Sequence, residues 1–177
     1  DKAVKDFGLT KPGEILDKTT DLVVEAFVKN GEVTKGEMGE EIKDGMDISL
    51  LCFDRQKQQI TWSGANNPLW YVNNGELLEI KADKQPIGKT EYPKPFNTHT
   101  ITNGAGLVFY LFTDGLPDQF GGPNGKKYKY KQFSDLLMQN KNLTFAQQQS
   151  EIENSFTNWK GELEQVDDVC VIGISFT

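Results

Sequence analysis

Acidic residues flank two long apolar runs of the chain, and they are the residues best suited to chemistry. Asp114 comes soon after residues 107–112, which are six apolar residues in a row. Asp167 and Asp168 come directly before the mainly apolar run at residues 169–176. Both runs predict strands, and the uncharged first run is typical of a strand buried on both faces. If the two strands are antiparallel neighbours, the carboxylates lie at the same edge of a sheet.

Carboxylates grouped at one edge favour a bound cation or a shared proton, because either one relieves their mutual repulsion. Oxygen-only ligands suit Mg²⁺ or Mn²⁺. The Asp114-Gly115 pair also predicts a turn, since Asp tolerates tight turns and Gly supplies a positive φ. An alternative therefore stays open at this point: Asp-Gly is a common turn dipeptide, and an Asp pair before a strand can simply end a loop.

The composition restricts the classes of protein to consider. The chain has 177 residues, of which 37% are hydrophobic and 25% are charged, as expected for one globular domain with a sizeable core. Its net charge of −7 argues against a nucleic-acid or anionic-membrane surface. No apolar run approaches the roughly 20 residues that span a bilayer. We expect a cytoplasmic protein without membrane contact, and the start at Asp1 without Met predicts a fragment.

The two cysteines, Cys52 and Cys170, both lie in apolar runs. We expect buried, reduced thiols, which agrees with a cytoplasmic location. A Cys52–Cys170 disulfide remains the alternative.

The hydrophobic pattern predicts an α+β fold. An amphipathic helix with Pro12 in its first turn ends at Asn30-Gly31. A meander of short antiparallel strands follows, and then two helices and a last strand. The predicted strands cover residues 47–54, 59–64, 69–72, 76–80, 96–101, 107–112 and 169–176, and the later helices cover 130–140 and 144–159. Trp62 and Trp70 are expected in the core, and His99 is expected to be structural.

Two glycine-rich segments allow more than one interpretation. Residues 31–45 are acidic and lack periodicity, which predicts a loop or, alternatively, a lid over the site. Residues 119–131 interleave lysines with tyrosines. They form either a solvated turn or a basic flap that receives an anionic ligand beside Asp114.

Three motifs occur in order along the chain. Residues 113–118 read Thr-Asp-Gly-Leu-Pro-Asp, and residues 167–171 read Asp-Asp-Val-Cys-Val. They resemble the metal-binding turn and the terminal strand of the PPM-type, metal-dependent protein serine/threonine phosphatases. Residues 64–68, Gly-Ala-Asn-Asn-Pro, resemble a hairpin of that family's SpoIIE-like, sigma-regulator branch. Asp44 lies where that branch enters its central strand.

The resemblance implies a four-layer α/β/β/α sandwich with a two-metal site at one edge of the strands. It assigns Asp114 and Asp167 as the metal ligands and catalytic carboxylates. Gly115 would contribute through its backbone, and Asp118 and Asp44 are candidates for an outer metal.

The implied reaction is the hydrolysis of phosphoserine or phosphothreonine on a phosphoprotein. Two Mn²⁺ or Mg²⁺ ions, about 3.5–4 Å apart, would activate a water, so that no protein nucleophile is required. The implied substrate is a regulatory phosphoprotein, and an anti-sigma-antagonist type regulator is one candidate. Asn66, Lys126 and Lys127 are the candidate substrate-binding residues.

One departure from the family pattern concerns the N-terminal side of the chain. The family's "GD" strand end and "D-x-x-GHG" turn precede the first helix, and neither occurs here. Residues 1–177 therefore resemble the C-terminal three-quarters of a single domain. We expect such a fragment to be inactive alone and to form homo-oligomers through an exposed sheet edge. A non-catalytic, protein-binding or regulatory module on the same scaffold is the alternative function.

Overall fold

The computed structural model describes residues 2–29, 45–101 and 106–176. These residues form two compact units. The first unit comprises the described residues of Asp1–Leu69 and Lys81–Gly104, and the second comprises those of Trp70–Ile80 and Ala105–Thr177. None of the described helices has the length and hydropathy needed to cross a membrane.

Along the sequence, short strands make up the middle of the chain, and helices come before and after them. The helices are α1 (Lys2–Lys5), α2 (Pro12–Lys29), α3 (Gly115–Asp118), α4 (Tyr130–Gln139) and α5 (Phe145–Lys160). The strands are β1 (Gly45–Met46), β2 (Ile48–Asp54), β3 (Gln59–Ala65), β4 (Leu69–Asn73), β5 (Glu76–Ile80), β6 (Ile87–Gly88), β7 (His99–Ile101), β8 (Val108–Phe112), β9 (Phe120–Gly121), β10 (Lys126–Lys127) and β11 (Val171–Ser175).

The first unit packs α2 against a small antiparallel sheet. The sheet has the order β2-β3-β7, and the β2–β3 pairing runs from Ile48 opposite Ala65 to Asp54 opposite Gln59. The buried cluster comprises Leu16, Ala65, Ile87 and Phe96. Trp62 is fully buried, as predicted, and the His99 ring lies 5.6 Å from it. Apart from Gly45, the predicted loop or lid at residues 31–45 lies outside the described residues.

The second unit is built on a four-stranded sheet of order β11-β8-β4-β5. Its core cluster comprises Trp70, Tyr110, Phe112, Leu116, Tyr128, Phe133 and Leu137. Helix α5 begins with a capping box, in which the Thr144 hydroxyl and the Gln147 side chain each accept a hydrogen bond from the other's backbone N–H. The prediction of an α+β fold with antiparallel strands is confirmed.

The last strand is more exposed than its apolar sequence predicts. Strand β11 is at one end of the four-stranded order, and 48% of the Ile172 surface is exposed. A strand buried on both faces is predicted for residues 107–112, and it is confirmed there, because residues 109–112 of β8 are all buried. The prediction of buried cysteines is wrong for Cys170, which is exposed, whereas Cys52 is half-buried. Both thiols are free, so the structure does not contain the alternative disulfide.

Candidate metal centre

Strand β11 pairs antiparallel with β8, and this pairing brings the two acidic segments to one edge of the sheet. The register runs from Val171 opposite Phe112 to Ser175 opposite Val108. Asp114 lies just past the end of β8, and Asp167 lies just before β11. The predicted condition for a shared carboxylate edge is therefore met within the second unit.

Thr113 links the two acidic segments at this edge through hydrogen bonds. Its backbone N–H donates a hydrogen bond to the Cys170 carbonyl at 3.0 Å. Its hydroxyl donates to the Asp168 carbonyl at 2.8 Å and accepts from the Cys170 N–H at 2.9 Å. The residue directly before Asp114 is thus bonded to the chain directly after Asp167.

The Gly115 backbone lies against the backbone that carries Asp167. A Cβ at this position would lie 2.3 Å from the Asp168 carbonyl oxygen and 3.2 Å from the Asp167 carbonyl oxygen. Gly115 is also the first residue of α3, and its φ is not among the positive values of the chain. The predicted positive φ is therefore wrong. Glycine is required because no other residue allows so close an approach.

The Asp167 and Asp114 carboxylates differ in their surroundings. Asp167 is exposed, and its Oδ1 accepts a hydrogen bond from the Asp168 N–H at 2.7 Å. The Gln165 side chain donates to the Asp167 carbonyl at 2.8 Å. Asp114 is half-buried at the N-terminus of α3. One carboxylate therefore faces solvent, while the other lies partly within the fold.

Asp118 and Lys127, which are predicted to bind metal and substrate respectively, form an ion pair with each other. The Lys127 Nζ lies 2.9 Å from Asp118 Oδ2 and 5.9 Å from the centre of the Phe120 ring. Strand β10 carries Lys126 and Lys127 and pairs with β9, which places Lys126 opposite Gly121. A lysine ammonium is therefore the cation beside Asp118.

Two further candidates are Asn66 and Asp44. Asn66 lies in the first unit with a φ of 59°, and its side-chain amide donates to Asp47 Oδ1 at 2.7 Å. Its predicted role in substrate binding stays a prediction. Asp44 lies outside the described residues.

The donor set fits Mn²⁺ or Mg²⁺ in kind but is incomplete in number. Asp114, Asp167 and the neighbouring carbonyl groups offer only oxygen atoms, which both ions prefer. The Lys127 ammonium shows that a cation can sit beside Asp118. Over residues 2–29, 45–101 and 106–176, however, no three or more His, Cys, Asp or Glu side chains are close enough to hold a metal ion together. The described residues therefore do not contain a complete set of ligands for such an ion.

Sequence reasoning missed two residues of this region, Thr113 and Gln119. The position of Thr113 in a Thr-Asp-Gly motif at a strand end was a usable signal. Gln119 is fully buried, although its place at the start of a glycine-rich segment predicts an exposed loop. Glutamine is mostly exposed in proteins, so its type gave no signal of burial.

Comparison with known proteins places the chain in a family. A family model described as Stage II sporulation protein E (SpoIIE) matches residues 5–177. Comparison with curated protein sequences gives no significant match.

Several solved structures have a similar fold. The SiaA-PP2C domain of Pseudomonas aeruginosa is 24% identical, with a TM-score of 0.84, and the match covers 100% of this chain and 65% of that chain. The phosphatase domain of SpoIIE from Bacillus subtilis, presoaked with manganese, is 12% identical, with a TM-score of 0.54 and coverages of 90% and 72%. The serine/threonine phosphatase PstP/Ppp of Mycobacterium tuberculosis is 12% identical, with a TM-score of 0.54 and coverages of 87% and 66%.

These likenesses show the fold of a PP2C-type phosphatase domain, as the resemblance implied. The chain spans 65% of the length of the SiaA-PP2C chain that it matches. Because the family model covers nearly all of its residues, the chain belongs to the SpoIIE family.

Proposed function

We propose that this domain is the catalytic part of a metal-dependent protein serine/threonine phosphatase that acts on a regulatory phosphoprotein. The observation that carries this proposal is the junction between β8 and β11. It brings Asp114 and Asp167, from segments far apart in the chain, to one edge of one sheet. A binding module without a cation has no need of carboxylates at such an edge, because they repel one another.

Asp114 and Asp167 would hold divalent metal ions through their carboxylates, and Gly115 would contribute its carbonyl oxygen. Asp118 and Asp44 are the proposed ligands of an outer ion. Bound Mn²⁺ or Mg²⁺ would lower the pKa of a water and offset the charge of the phosphoryl group. The domain has a net charge of −7, so an anionic substrate needs such positive charge at the site.

The protein's own residues would keep this edge in a fixed geometry. The Thr113 hydroxyl donates a hydrogen bond to the Asp168 carbonyl, and the absence of a side chain at Gly115 allows the two backbones to approach closely. Lys126 is exposed on β10 and is the proposed docking residue for the phosphoprotein. An anti-sigma-antagonist type regulator is one candidate substrate.

The 177-residue chain is expected to have little activity by itself. Divalent ions of this kind need about six oxygen ligands, several of them from water. The described residues hold no group of three acidic, histidine or cysteine ligands. We therefore propose that ligands in addition to Asp114 and Asp167 are needed for tight metal binding.

The test is phosphate release from a phosphoserine peptide by the full chain, with and without millimolar Mn²⁺. Because the set of ligands is incomplete, the proposal predicts slow release, which requires the metal and is lost in Asp167→Asn. A matched control is Asp135→Asn, which removes a carboxylate that pairs with Lys131 on α4. Metal-independent release, or equal release by both variants, would contradict the proposal.

A non-catalytic protein-binding module is the second candidate function. It is favoured by the Lys127–Asp118 ion pair, which already provides one carboxylate with a cation. That function predicts Mn²⁺-independent binding of a phosphoprotein without any phosphate release.

A further inference from the structure

Gln119 is a buried polar residue directly after the turn that carries Asp114 and Asp118. Its surface is fully buried. Burying an amide is costly unless each of its polar groups finds a hydrogen-bond partner. The partners of Gln119 therefore show what its burial achieves.

The side-chain amide of Gln119 bonds to the backbone that leads into Asp167. Its Nε2 donates to the Glu164 carbonyl at 2.9 Å and to the adjacent Phe120 carbonyl at 3.0 Å. Its Oε1 accepts from the Val166 N–H at 3.3 Å. The amide thus holds residues 164–166 in the way that a neighbouring strand would.

The backbone of Gln119 is itself held by three elements. Its N–H donates to the Leu116 carbonyl at 3.3 Å, and its carbonyl accepts from the Tyr128 N–H at 2.9 Å. The same carbonyl accepts from the Trp159 indole N–H at 3.1 Å. These hydrogen bonds to α3, to the chain after β10 and to α5 fix the position of the Gln119 backbone, from which its side chain extends.

Asp167 is thereby held from both sides by the segment that contains Asp114. Thr113 bonds to the chain after Asp167, at the Asp168 carbonyl and the Cys170 N–H. Gln119 bonds to the chain before Asp167. Asp114 lies between Thr113 and Gln119 in sequence, so the two side chains connect the acidic segments on either side of the carboxylates.

We propose that Gln119 is a positioning residue, which fixes the Asp167 segment relative to Asp114 at the metal-binding edge. This inference rests on the proposed metal-dependent function. Mutation of a side chain that orients a metal ligand without touching the ion typically weakens metal binding by about 10–100-fold. Gln119 is expected to act in that way, through the backbone on the N-terminal side of Asp167.

The test compares Gln119→Met with Gln148→Met in the full chain. Gln148 is also buried in the second unit, where its side chain accepts from the Tyr110 hydroxyl at 2.8 Å and donates to the Leu143 carbonyl at 3.0 Å. Both variants remove the polar amide and keep a side chain of similar length. Both should lower thermal stability, so loss of stability alone does not identify a positioning role.

Calorimetric titration with Mn²⁺ supplies the distinguishing readout. We expect Gln119→Met to bind Mn²⁺ at least about tenfold more weakly, whereas Gln148→Met binds it like the wild type. Hydrogen exchange at the Val166 amide should also become faster only in Gln119→Met. If Gln119→Met does not fold, Gln119→Asn serves instead, because its shorter amide cannot keep the same bonds.

Two results would overturn the inference. Equal Mn²⁺ affinity in the wild type and the folded Gln119 variant would show that Gln119 is structural only, and the proposed function would stand. A wild-type protein that binds no Mn²⁺ would overturn the proposed function and this inference with it.

Discussion

Lys127 and Asp118 form an ion pair, with 2.9 Å between Nζ and Oδ2, at the end of the turn that begins with Asp114. Both side chains are nearly half exposed, at 45% and 40%. Pairs as exposed as this contribute only about 0–1 kcal/mol, because water and salt screen them. The ammonium is therefore a cation that a metal ion could displace from Asp118 at small cost.

Replacing Lys127 with Met should strengthen Mn²⁺ binding in the full chain. The expected gain is about two- to fivefold, since the variant removes a competitor worth no more than about 1 kcal/mol. Lys126→Met is the matched control, because it removes the neighbouring charge on β10 without removing the pair. Calorimetry in low salt measures the difference, and an equal gain in both variants would show that only the general charge matters.

Reversing the charge of Lys126 should slow the turnover of a phosphoprotein more than that of a small aryl phosphate. A protein substrate is large enough to touch β10, and charges at the rim of an interface act mainly on the rate of association. Steady-state kinetics with both substrates provides the measurement. If Lys126→Glu slows both substrates by the same factor, β10 is not a docking surface.

Introducing a side chain at Gly115 should separate the two acidic segments. Gly115→Ala would place a Cβ 2.3 Å from the Asp168 carbonyl oxygen, so the backbone has to shift, at about 1–3 kcal/mol. Gly125→Ala is the control. Its φ is +56° and its Cβ would meet nothing within 4 Å, which leaves only a backbone cost of about 1–2 kcal/mol.

Denaturant unfolding and Mn²⁺ titration together distinguish these two variants. Both should be less stable than the wild type, but only Gly115→Ala should also lose Mn²⁺ affinity. Metal binding that survives in Gly115→Ala would mean that the close approach of the turn is unnecessary.

The two cysteines should react at different rates with a thiol reagent at pH 8. Burial raises the pKa of the Cys52 thiol. At pH 8, burial therefore lowers the fraction of Cys52 that is in the reactive thiolate form. Cys170 is exposed and should be modified first. A time course by mass spectrometry shows the order, and Cys170→Ser should remove the fast phase. A single phase in the wild type would contradict the difference in burial.

The local features of this fold could be predicted from the sequence because they depend on neighbouring residues. Pro12 in the first turn of α2 and the Thr144 cap of α5 are examples. The positions of Asp114 and Asp167 at strand ends made antiparallel pairing of β8 and β11 the condition for a shared acidic edge, and the register meets that condition. These signals were enough to predict an α+β fold and one acidic edge.

The remaining features depend on contacts between residues that are distant in sequence. The apolar residues of β11 give no sign that it ends the order of its sheet. In the sequence, Gly115 has the ordinary pattern of a turn glycine, and only the structure shows that the Asp168 backbone lies against it. Gln119 is buried only because residues 164–166 supply its partners, and no pattern around it reveals them.

Whether Asp114 and Asp167 form a metal centre is tested by calorimetric titration of Asp114→Asn with Mn²⁺, beside Asp135→Asn in the same protein. Asparagine keeps the shape of the side chain but lacks its charge, so cation binding should weaken while folding is retained, because repulsion from Asp167 also falls. We expect a large loss of Mn²⁺ affinity in Asp114→Asn and none in Asp135→Asn. Wild-type Mn²⁺ affinity in a folded Asp114→Asn variant would show that this edge is not the metal centre.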